Sequence, residues 1–241
     1  TILDKKQMTE EDIKLHYITP AIQVSWGLER ITMETRITDG RINLRGNLVA
    51  RGISKKADYI LYLAPNKPIA IVEAKDNKHS VSYGLQQAKA YAAMMDTPFA
   101  YSSNGGGFQE YDFLTGEERT LSLEEFPSPK ELTSRWESGI NNGGGVSDNE
   151  KRIISQPYYS SQSTYPPRYY QQNAVNRTVE AVARGQERIL LVMATGTGKT
   201  YTAFQIVYRL LKSGLKRKVL YLADRNNLVD QSIEQDFKPL E

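Results

Sequence analysis

The chain has 241 residues, of which 39% are hydrophobic and 24% charged, and its formal net charge is +3. A chain of this length and composition suits one large globular domain or about two ordinary ones. It contains no cysteine and only His16 and His79, which excludes disulfides, thiolate nucleophiles and metal centres built from cysteine or histidine. Because the net charge is only +3, contacts with nucleic acid would need local clusters of basic residues. With no apolar run of about 18 residues and no signal-peptide core, we expect a cytoplasmic protein with no membrane contact.

The first predicted helix begins at Thr9, because Thr9-Glu10-Glu11-Asp12 has the form of a capping box. Ile13, Tyr17 and Ala21 follow at helical spacing, so we expect them to face the core. Pro20 is expected to end the regular part of this helix, since proline cannot donate a backbone hydrogen bond.

Two predicted strands come next, at residues 31–36 and 42–50, and residues 38–41 between them favour a hairpin turn. Three basic side chains then precede the next hairpin: Arg51, Lys55 and Lys56. Each of them taken singly is best explained as a solvated surface charge. Together they would suit contacts with phosphate groups.

Residues 57–75 predict two strands around a turn, with strand-forming Tyr, Ile and Leu in the first half and Pro65-Asn66-Lys67-Pro68 in the middle. With the turn centred on its two middle residues, Asp58 falls opposite Lys75. Opposed residues share a face of a sheet, and so do residues two apart on one strand. We therefore expect Asp58, Glu73 and Lys75 to converge on one face of this hairpin.

Two carboxyl groups at one covered site repel each other, so one of them is driven towards its neutral form. A hard divalent cation would resolve this conflict, because Mg²⁺ prefers carboxylate oxygens and water. The alternative is a cross-strand ion pair between Asp58 and Lys75, with Glu73 as an additional surface charge. The sequence leaves both interpretations open, and the second carboxylate favours a metal site.

A helix is predicted after Ser80, with a core stripe at positions Val81, Leu85, Ala88, Ala92 and Met95. Gln87 and Tyr91 are spaced four apart and lie side by side on such a helix. Their amide and hydroxyl groups would suit the holding of a DNA backbone. The alternative places the Tyr91 ring in the core and Gln87 in solvent.

These residues resemble a known nuclease signature. Asp58, a turn and Glu73-Ala-Lys75 look like the PD-(D/E)xK motif, with Ala57 where proline often stands, and Gln87-Ala-Lys-Ala-Tyr91 matches the Gln-x-x-x-Tyr motif of the RecB-like branch. The segments ADYILYL, AIVEAKDN, GLQQAKAYA and YSSNG are similar to the N-terminal domain of type I restriction enzyme motor subunits. The resemblance implies catalysis by Asp58, Glu73 and Lys75, with Asp58 and Glu73 as metal ligands.

The same resemblance implies a metal-binding role for Glu10, at the acidic start of the first helix. The alternative for Glu10 is that it only complements the helix dipole. Two further strands, at 99–102 and 108–113, surround a glycine-rich turn. The order of elements predicts a mixed α/β sheet with flanking helices, of the restriction-endonuclease-like class. We assign residues 1–132 to this nuclease domain.

Residues 133–165 are rich in Gly, Ser, Gln, Tyr and Pro and are predicted to be a linker. Residues 166–241 are predicted to begin a RecA-like P-loop lobe. Arg168-Tyr-Tyr-Gln171-Gln-Asn-Ala opens a helix that runs to about Arg184, and it resembles the Q motif of superfamily 2 helicases. In that motif the glutamine reads the adenine edge, which implies this role for Gln171.

A buried strand is predicted at 188–193, followed by a loop and a helix, which is the context of a phosphate-binding loop. Its glycines let backbone N–H groups turn towards a phosphate, Lys199 reaches the β- and γ-phosphates, and Thr200 meets Mg²⁺. The predicted ATP-binding residues are Gln171, Thr195, Gly196, Thr197, Gly198, Lys199 and Thr200.

Residues 219–223 predict another strand, and 224–231 resemble helicase motif Ia. The printed sequence then contains no strand that ends in an Asp-Glu pair, which would hold the nucleotide's Mg²⁺, and no arginine finger. We therefore expect the N-terminal fragment of a longer motor protein, without a complete ATPase.

The resemblance implies a type I restriction-modification subunit that cleaves double-stranded DNA after ATP-driven translocation. Its cofactors would be Mg²⁺ and ATP, with S-adenosylmethionine acting only through the methyltransferase part of the holoenzyme. Its partners would be double-stranded DNA and the methyltransferase and specificity subunits. Two alternatives remain: another nuclease–helicase fusion, of the type III or DNA-repair kind, and a degenerate nuclease fold that serves only as a DNA clamp or docking module.

Overall fold

A computed structural model describes residues 3–38, 42–45, 48–51 and 54–223, with the side chains of 42–45 and 48–51 left out. The chain forms two compact units, residues 1–63 with 68–145 and residues 64–67 with 146–241. The helices are α1 (Glu10–Ile13), α2 (Thr19–Gln23), α3 (Leu85–Met94), α4 (Pro129–Gly139), α5 (Asp148–Ser155), α6 (Tyr169–Ala183) and α7 (Lys199–Lys212). The strands are β1 (Ile31–Thr38), β2 (Ile42–Arg45), β3 (Leu48–Arg51), β4 (Lys55–Ala64), β5 (Lys67–Ala74), β6 (Phe99–Ser103), β7 (Phe108–Asp112) and β8 (Glu118–Leu121).

The first unit contains a mixed sheet whose strands in the described residues run in the order β1-β4-β5-β6-β7-β8. Strands β5 and β6 are parallel, and α3 supplies the crossover that a parallel pair requires. The pairs β1–β4, β6–β7 and β7–β8 are antiparallel. Every residue of β6 is buried, and so is β5 after its first residue, so the centre of the sheet is covered on both faces. The predicted mixed α/β sheet with flanking helices is confirmed.

The capping box at the first helix is confirmed. The Asp12 N–H donates to Thr9 Oγ1 at 3.2 Å, and the Thr9 N–H donates to Asp12 Oδ2 at 3.0 Å. The prediction that the helix ends at Pro20 is wrong, because α2 continues to Gln23. Pro20 stands in the first turn of α2, directly after the π-helical turn Lys14–Ile18, and the helical backbone continues past it.

A π-helical turn, Lys14–Ile18, joins α1 to α2 and changes which side chains are buried. A π turn holds one residue more than an α turn, so the buried face passes from Ile13 to Ile18 and Ile22. Tyr17 and Ala21, the positions expected from a regular helix, are only partly buried. The same turn begins with Lys14, which is 2% exposed.

The turn between β4 and β5 lies at Pro65 and Asn66, one residue earlier than predicted. Asn66 has a φ of 59°, a left-handed conformation that asparagine tolerates better than most residues. With Ala64 and Lys67 facing each other across this turn, Asp58 and Glu73 are equally far from it. The register is thereby shifted, and Asp58 faces Glu73 instead of Lys75.

Helix α3 begins at Leu85, later than predicted, because residues 80–83 form turns and Gly84 caps the helix. Ser80 therefore does not cap it. The core stripe is confirmed for Leu85, Ala88, Ala92 and Met95, which are all at most 7% exposed, whereas Val81 lies ahead of the helix and is only partly buried.

The segment predicted as a linker contains regular structure. Helix α4 begins ahead of residue 133, and α5 lies wholly inside 133–165. Each has a serine cap, since Ser128 accepts from the Glu131 N–H and Ser147 forms a capping box with Glu150. Strand β8 was also missed, because its sequence is rich in charged residues, which have low strand propensity. Its pairing with β7 holds it in the sheet. The two units meet in sequence at residues 145 and 146.

In the second unit, Arg209 of α7 forms hydrogen bonds with the backbone of the segment that was predicted as a linker. Its side chain is 2% exposed and donates to the Ile153 oxygen at 2.7 Å, the Gln156 oxygen at 3.0 Å and Asn176 Oδ1 at 2.8 Å. Its guanidinium also lies 4.8 Å from the centre of the Tyr158 ring. Each donor group thus finds an acceptor, which is the condition for burying an arginine.

The predicted strands at 188–193 and 219–223 are wrong for this structure, since neither segment forms a strand in the part of the chain described. Their aliphatic side chains are exposed, for example 85% for Leu190 and 88% for Val192. A strand needs a neighbouring strand for its ladder of backbone hydrogen bonds. The motif Ia residues 224–231, the turn residues 39–41 and the Arg51 side chain lie outside what is described.

None of the described helices is long and apolar enough to cross a membrane.

A buried ion cluster centred on Glu110 ties β6, β7, β8 and α4 together. Glu110 is 1% exposed and accepts from Tyr101 at 2.6 Å, from Arg119 Nε at 2.8 Å and from Arg135 Nη2 at 2.7 Å. Burial alone would raise the pKa of Glu110, but the hydrogen bonds from Arg135, Arg119 and Tyr101 outweigh it and lower the pKa to about 2. The folded first unit therefore favours ionised Glu110.

We predict that Glu110→Gln lowers the free energy of unfolding of the first unit by about 3 kcal/mol at neutral pH. A carboxyl pKa that folding lowers from 4.5 to about 2 contributes stability above pH 4.5, and this stability is lost as the pH falls towards 2. The difference between native and variant should therefore shrink over that range. Urea unfolding followed by tryptophan fluorescence measures it, because Trp26 and Trp136 both lie in the first unit.

The control is Glu117→Gln, which removes an exposed carboxylate from the same part of the sheet. It should leave the stability within about 0.5 kcal/mol of native. An equal loss for Glu110→Gln at pH 7 and near pH 2.5 would contradict the proposed charge dependence.

Candidate active site

The facing strands β4 and β5 bring Asp58 and Glu73 into contact in the first unit. Asp58 is 9% exposed and Glu73 is 1% exposed. Asp58 Oδ2 accepts from the Ala74 N–H at 2.8 Å, and the Asp58 N–H points to Glu73 Oε1 at 3.4 Å. Each carboxyl group therefore contacts the backbone of the opposite strand, which fixes the relative positions of the two acids.

These two acids differ in charge. Burial, together with the negative charge of Asp58, raises the pKa of Glu73 to about 9. Burial would also raise the pKa of Asp58, but hydrogen bonds from Lys14 and the Ala74 N–H outweigh it and hold that pKa below its usual value. One carboxyl group is thus neutral and the other ionised near neutral pH, as expected for two acids at one covered site.

Lys75 lies at the end of β5, beside this pair. Its backbone N–H donates to the Ser103 oxygen at 2.8 Å, and its ammonium is 3.8 Å from Glu10 Oε2. The alternative interpretation, an ion pair between Lys75 and Asp58, depended on the wrong register, and Asp58 pairs with Lys14 at 2.7 Å. Glu10 therefore lies at the site through the two lysines, with its Oε1 also 3.8 Å from Lys14.

Lys14 is a site residue that the sequence analysis missed. Its ammonium lies 2.5 Å from Glu34 Oε1, 2.7 Å from Asp58 Oδ1 and 2.9 Å from Glu11 Oε1. Burial alone would lower the pKa of Lys14, but the hydrogen bonds to Asp58, Glu34 and Glu11 outweigh it and hold the pKa above its usual value. The only sequence signals were its spacings of four from Glu10 and three from Glu11, which are common on surface helices.

Gln87 and Tyr91 are side by side on α3, as predicted. Gln87 Nε2 donates to the Tyr91 hydroxyl at 3.2 Å, with Gln87 exposed and Tyr91 9% exposed. Burial raises the pKa of Tyr91, and the charges of Glu73 and Asp58 act in the same direction. The Tyr91 hydroxyl therefore lies within electrostatic reach of both acids.

The start of α3 packs directly on the strands that carry the acids. The Gly84 N–H donates to Ser102 Oγ at 3.0 Å, and a Cβ at this glycine would lie 2.9 Å from that oxygen and 3.4 Å from Glu73 Cβ. Only glycine allows this approach without displacing a neighbour. Gly84 and Ser102 had no signal in the sequence that marked them as site residues.

A divalent metal ion would have to fit this arrangement. In the described part of the chain, no three acidic or histidine side chains are grouped so as to hold a metal ion together. Asp58 and Glu73 still provide two adjacent carboxyl groups, and Mg²⁺ is commonly bound through one or two carboxylates with several waters. The donor set therefore fits a hydrated magnesium ion held by these two acids.

The second unit carries the predicted phosphate loop ahead of α7. Gly196 and Gly198 have φ values of 76° and 84°, and α7 begins at Lys199. Thr195 and Thr197 lie in the loop, and Thr200 in the first helical turn. Positive φ at both glycines and a helix N-terminus are features of an anion-binding loop. A Cβ at Gly198 would lie 2.3 Å from Gln171 Nε2, so glycine is also required there for space.

Gln171 lies against this loop. Its Nε2 donates to the Thr197 oxygen at 2.9 Å, and its Oε1 accepts from the Arg168 N–H at 2.9 Å. A pocket of about 500 Å³ opens beside it, with aromatic walls formed by Tyr159, Tyr165, Tyr201 and Phe204. The structure thus places Gln171 next to the phosphate loop and an aromatic pocket.

Two family models match separate parts of the chain. Residues 46–98 match the second domain of the type I restriction enzyme EcoKI endonuclease subunit, and residues 164–241 match the type III restriction enzyme res subunit. The first match contains Asp58, Glu73, Lys75, Gln87 and Tyr91, and the second contains the phosphate loop.

Similar proteins match over longer stretches. The EcoAI endonuclease subunit of a type I restriction enzyme from Escherichia coli is 44% identical over 98% of this chain and 30% of its own length. The EcoKI endonuclease subunit from Escherichia coli is 28% identical over 73% of this chain and 18% of its own length. A solved fragment described as an HsdR subunit of a type I restriction enzyme from Vibrio vulnificus YJ016 has a TM-score of 0.73 and 42% identity, covering 86% of this chain and 38% of that one.

The chain spans about a third or less of the two curated relatives it matches. The type III model covers only residues 164–241, whereas the EcoAI relative matches both units. The match over nearly the whole chain, together with the likeness in structure, decides between these families. The chain belongs to the family of type I restriction enzyme endonuclease subunits.

Proposed function

We propose that the first unit is a PD-(D/E)xK nuclease that cleaves double-stranded DNA with the help of Mg²⁺. The observation that carries this proposal is the contact between Asp58 and Glu73, with Lys75 beside them and the Gln87–Tyr91 pair within reach. The relatives named endonuclease subunits support it. The reaction class is hydrolysis of a phosphodiester bond.

Each residue has a role in this proposal. Asp58 and Glu73 hold the metal ion, which would lower the pKa of a bound water and offset charge on the phosphate. Lys75, kept in place by Glu10, positions the attacking water or donates to a phosphate oxygen. The Tyr91 hydroxyl and the Gln87 amide donate to the DNA backbone, a role that fits neutral donors better than metal binding. Glu10 remains a candidate for a further metal contact.

We propose that the second unit binds ATP. The phosphates lie on the loop, Lys199 contacts the β- and γ-phosphates, Thr200 contacts Mg²⁺, and Gln171 and its aromatic pocket take the adenine. The whole protein would use ATP to translocate DNA before cutting. It would assemble with methyltransferase and specificity subunits, and S-adenosylmethionine would act only through the methyltransferase part.

We predict that alanine at Asp58, Glu73 or Lys75 reduces DNA cleavage by the assembled enzyme about a hundredfold or more, because each removes a group that acts on the reacting phosphate. ATP hydrolysis should stay near the native rate, since the motor is left intact. Plasmid cleavage and phosphate release measure the two activities. Glu124→Ala, at an exposed acid away from the site, is the control. Native cleavage by Glu73→Ala would refute the assignment.

We predict that Tyr91→Phe weakens cleavage roughly tenfold without changing metal affinity. It removes only the hydroxyl, and a hydrogen bond to a charged group contributes about 1.5–3 kcal/mol. Cleavage kinetics and Mn²⁺ calorimetry measure the two effects. Tyr83→Phe, at an exposed tyrosine ahead of α3, is the matched control and should cleave normally. A large loss of metal affinity in Tyr91→Phe would show that the DNA-positioning role is wrong.

We predict that the 241-residue chain binds ATP but does not hydrolyse it appreciably. The phosphate loop supplies only part of the charge neutralisation that phosphoryl transfer requires, and an arginine finger alone contributes about 10³–10⁵ in rate. Lys199→Ala should weaken ATP binding, whereas Lys212→Ala, at the other end of α7, should not. Phosphate release that DNA stimulates and that Lys199→Ala abolishes would contradict this prediction.

A further inference from the structure

The ammonium group of Lys14 occupies the centre of a second group of carboxylates in the nuclease unit. Oxygens of Glu34, Asp58 and Glu11 lie 2.5, 2.7 and 2.9 Å from its nitrogen. We propose that Lys14 is a built-in second cation of the nuclease site, so that the site takes one divalent metal ion and not two. The inference rests on the proposed function.

The geometry is that of an enclosed ammonium group. Three carboxylate oxygens from α1, β1 and β4 converge on one point, and the Lys14 side chain that fills this point is only 3% exposed. A buried charge requires such pairing. Because the ammonium is enclosed, Lys14 cannot reach a DNA phosphate and is a positioning residue, not a catalytic one.

Asp58 is shared between the position of the Lys14 ammonium and the proposed metal position at Glu73. Its Oδ1 faces Lys14, whereas its Oδ2 accepts from the Ala74 N–H on the strand that carries Glu73. In nucleases that use two metal ions, the ions lie about 3.5–4 Å apart and a shared carboxylate commonly bridges them. In this chain, the ammonium of Lys14 takes the place of one of the two cations that such a carboxylate would contact.

Two local departures from regular backbone bring these groups together. Glu34 has a φ of 51° in the middle of β1, a conformation that is strained for a residue other than glycine. Lys14 opens a π-helical turn, a rare form that is frequent at functional sites. Lys14 and Glu34 contact each other directly, so their ion pair offsets the strain of Glu34 at the same point.

Removing the ammonium would leave the three carboxylates without their shared positive charge. Like charges held this close together repel, and a divalent cation is a species that would relieve them. Lys14→Met keeps the length and apolar stem of the side chain and removes only the charge. We expect it to convert a one-metal site into a two-metal site.

The test is titration of the chain with Mn²⁺ in the absence of nucleotide, by calorimetry and electron paramagnetic resonance. The native chain should bind one ion, and Lys14→Met should bind two, with the spin coupling expected of neighbouring Mn²⁺ ions. Lys14→Arg retains the charge and should return to one ion. Lys14→Met combined with Glu34→Gln removes a ligand of the new position and should also bind one. Lys89→Met, at a lysine on α3, is the control and should behave as native.

Two ions in the native chain, or one ion with native affinity in Lys14→Met, would overturn the inference while leaving the nuclease proposal intact. A native chain that binds no Mn²⁺ would overturn both. If Lys14→Met folds only with Mn²⁺ and holds two ions, the inference is supported. If it does not fold at all, the native chain and Lys14→Arg decide: one ion in each supports the inference, and two in either overturns it.

Discussion

The burial of two carboxyl groups on facing strands is the constraint on which the first unit depends. Asp58 and Glu73 cannot both be ionised in a covered site without a nearby positive charge. The fold meets this requirement on one side with Lys14, which contacts Asp58 at 2.7 Å, and on the other with a Glu73 that stays neutral. The hairpin, the π-helical turn and the strained Glu34 all serve to bring these groups into contact.

The same unit contains a second buried acid that is treated differently. Glu110 is enclosed by Arg119, Arg135 and Tyr101, so its charge is fully compensated and its pKa falls to about 2. Glu73 has no comparable set of cationic donors around it, so burial and the charge of Asp58 raise its pKa to about 9. Two glutamates of similar burial thus have opposite pKa shifts. The contrast separates an acid that stabilises the fold from the one to which we assign a role in the proposed nuclease reaction.

A turn placed one residue earlier than predicted has a large effect in a sheet. The turn at Pro65 and Asn66 changes the directly opposed partner of Asp58 from Lys75 to Glu73, a shift of two residues on the partner strand that keeps the same face of the sheet. Convergence of Asp58 and Glu73 survives the change, whereas the alternative ion pair between Asp58 and Lys75 does not. The ammonium that replaces it comes from Lys14, on a helix far away in the sequence.

The sequence by itself determined what local hydrogen bonds and periodicity decide. It specified the Thr9 cap, the buried stripe of α3, the Gln87–Tyr91 pair and the loop that opens α7. Only the tertiary structure decided the role of Lys14, because Glu34 on β1 and Asp58 on β4 are distant from it in sequence and no short-range pattern connects them to it. The exposure of residues 189–192 also depends on tertiary pairing, since an aliphatic run becomes a buried strand only where a neighbour accepts its hydrogen bonds.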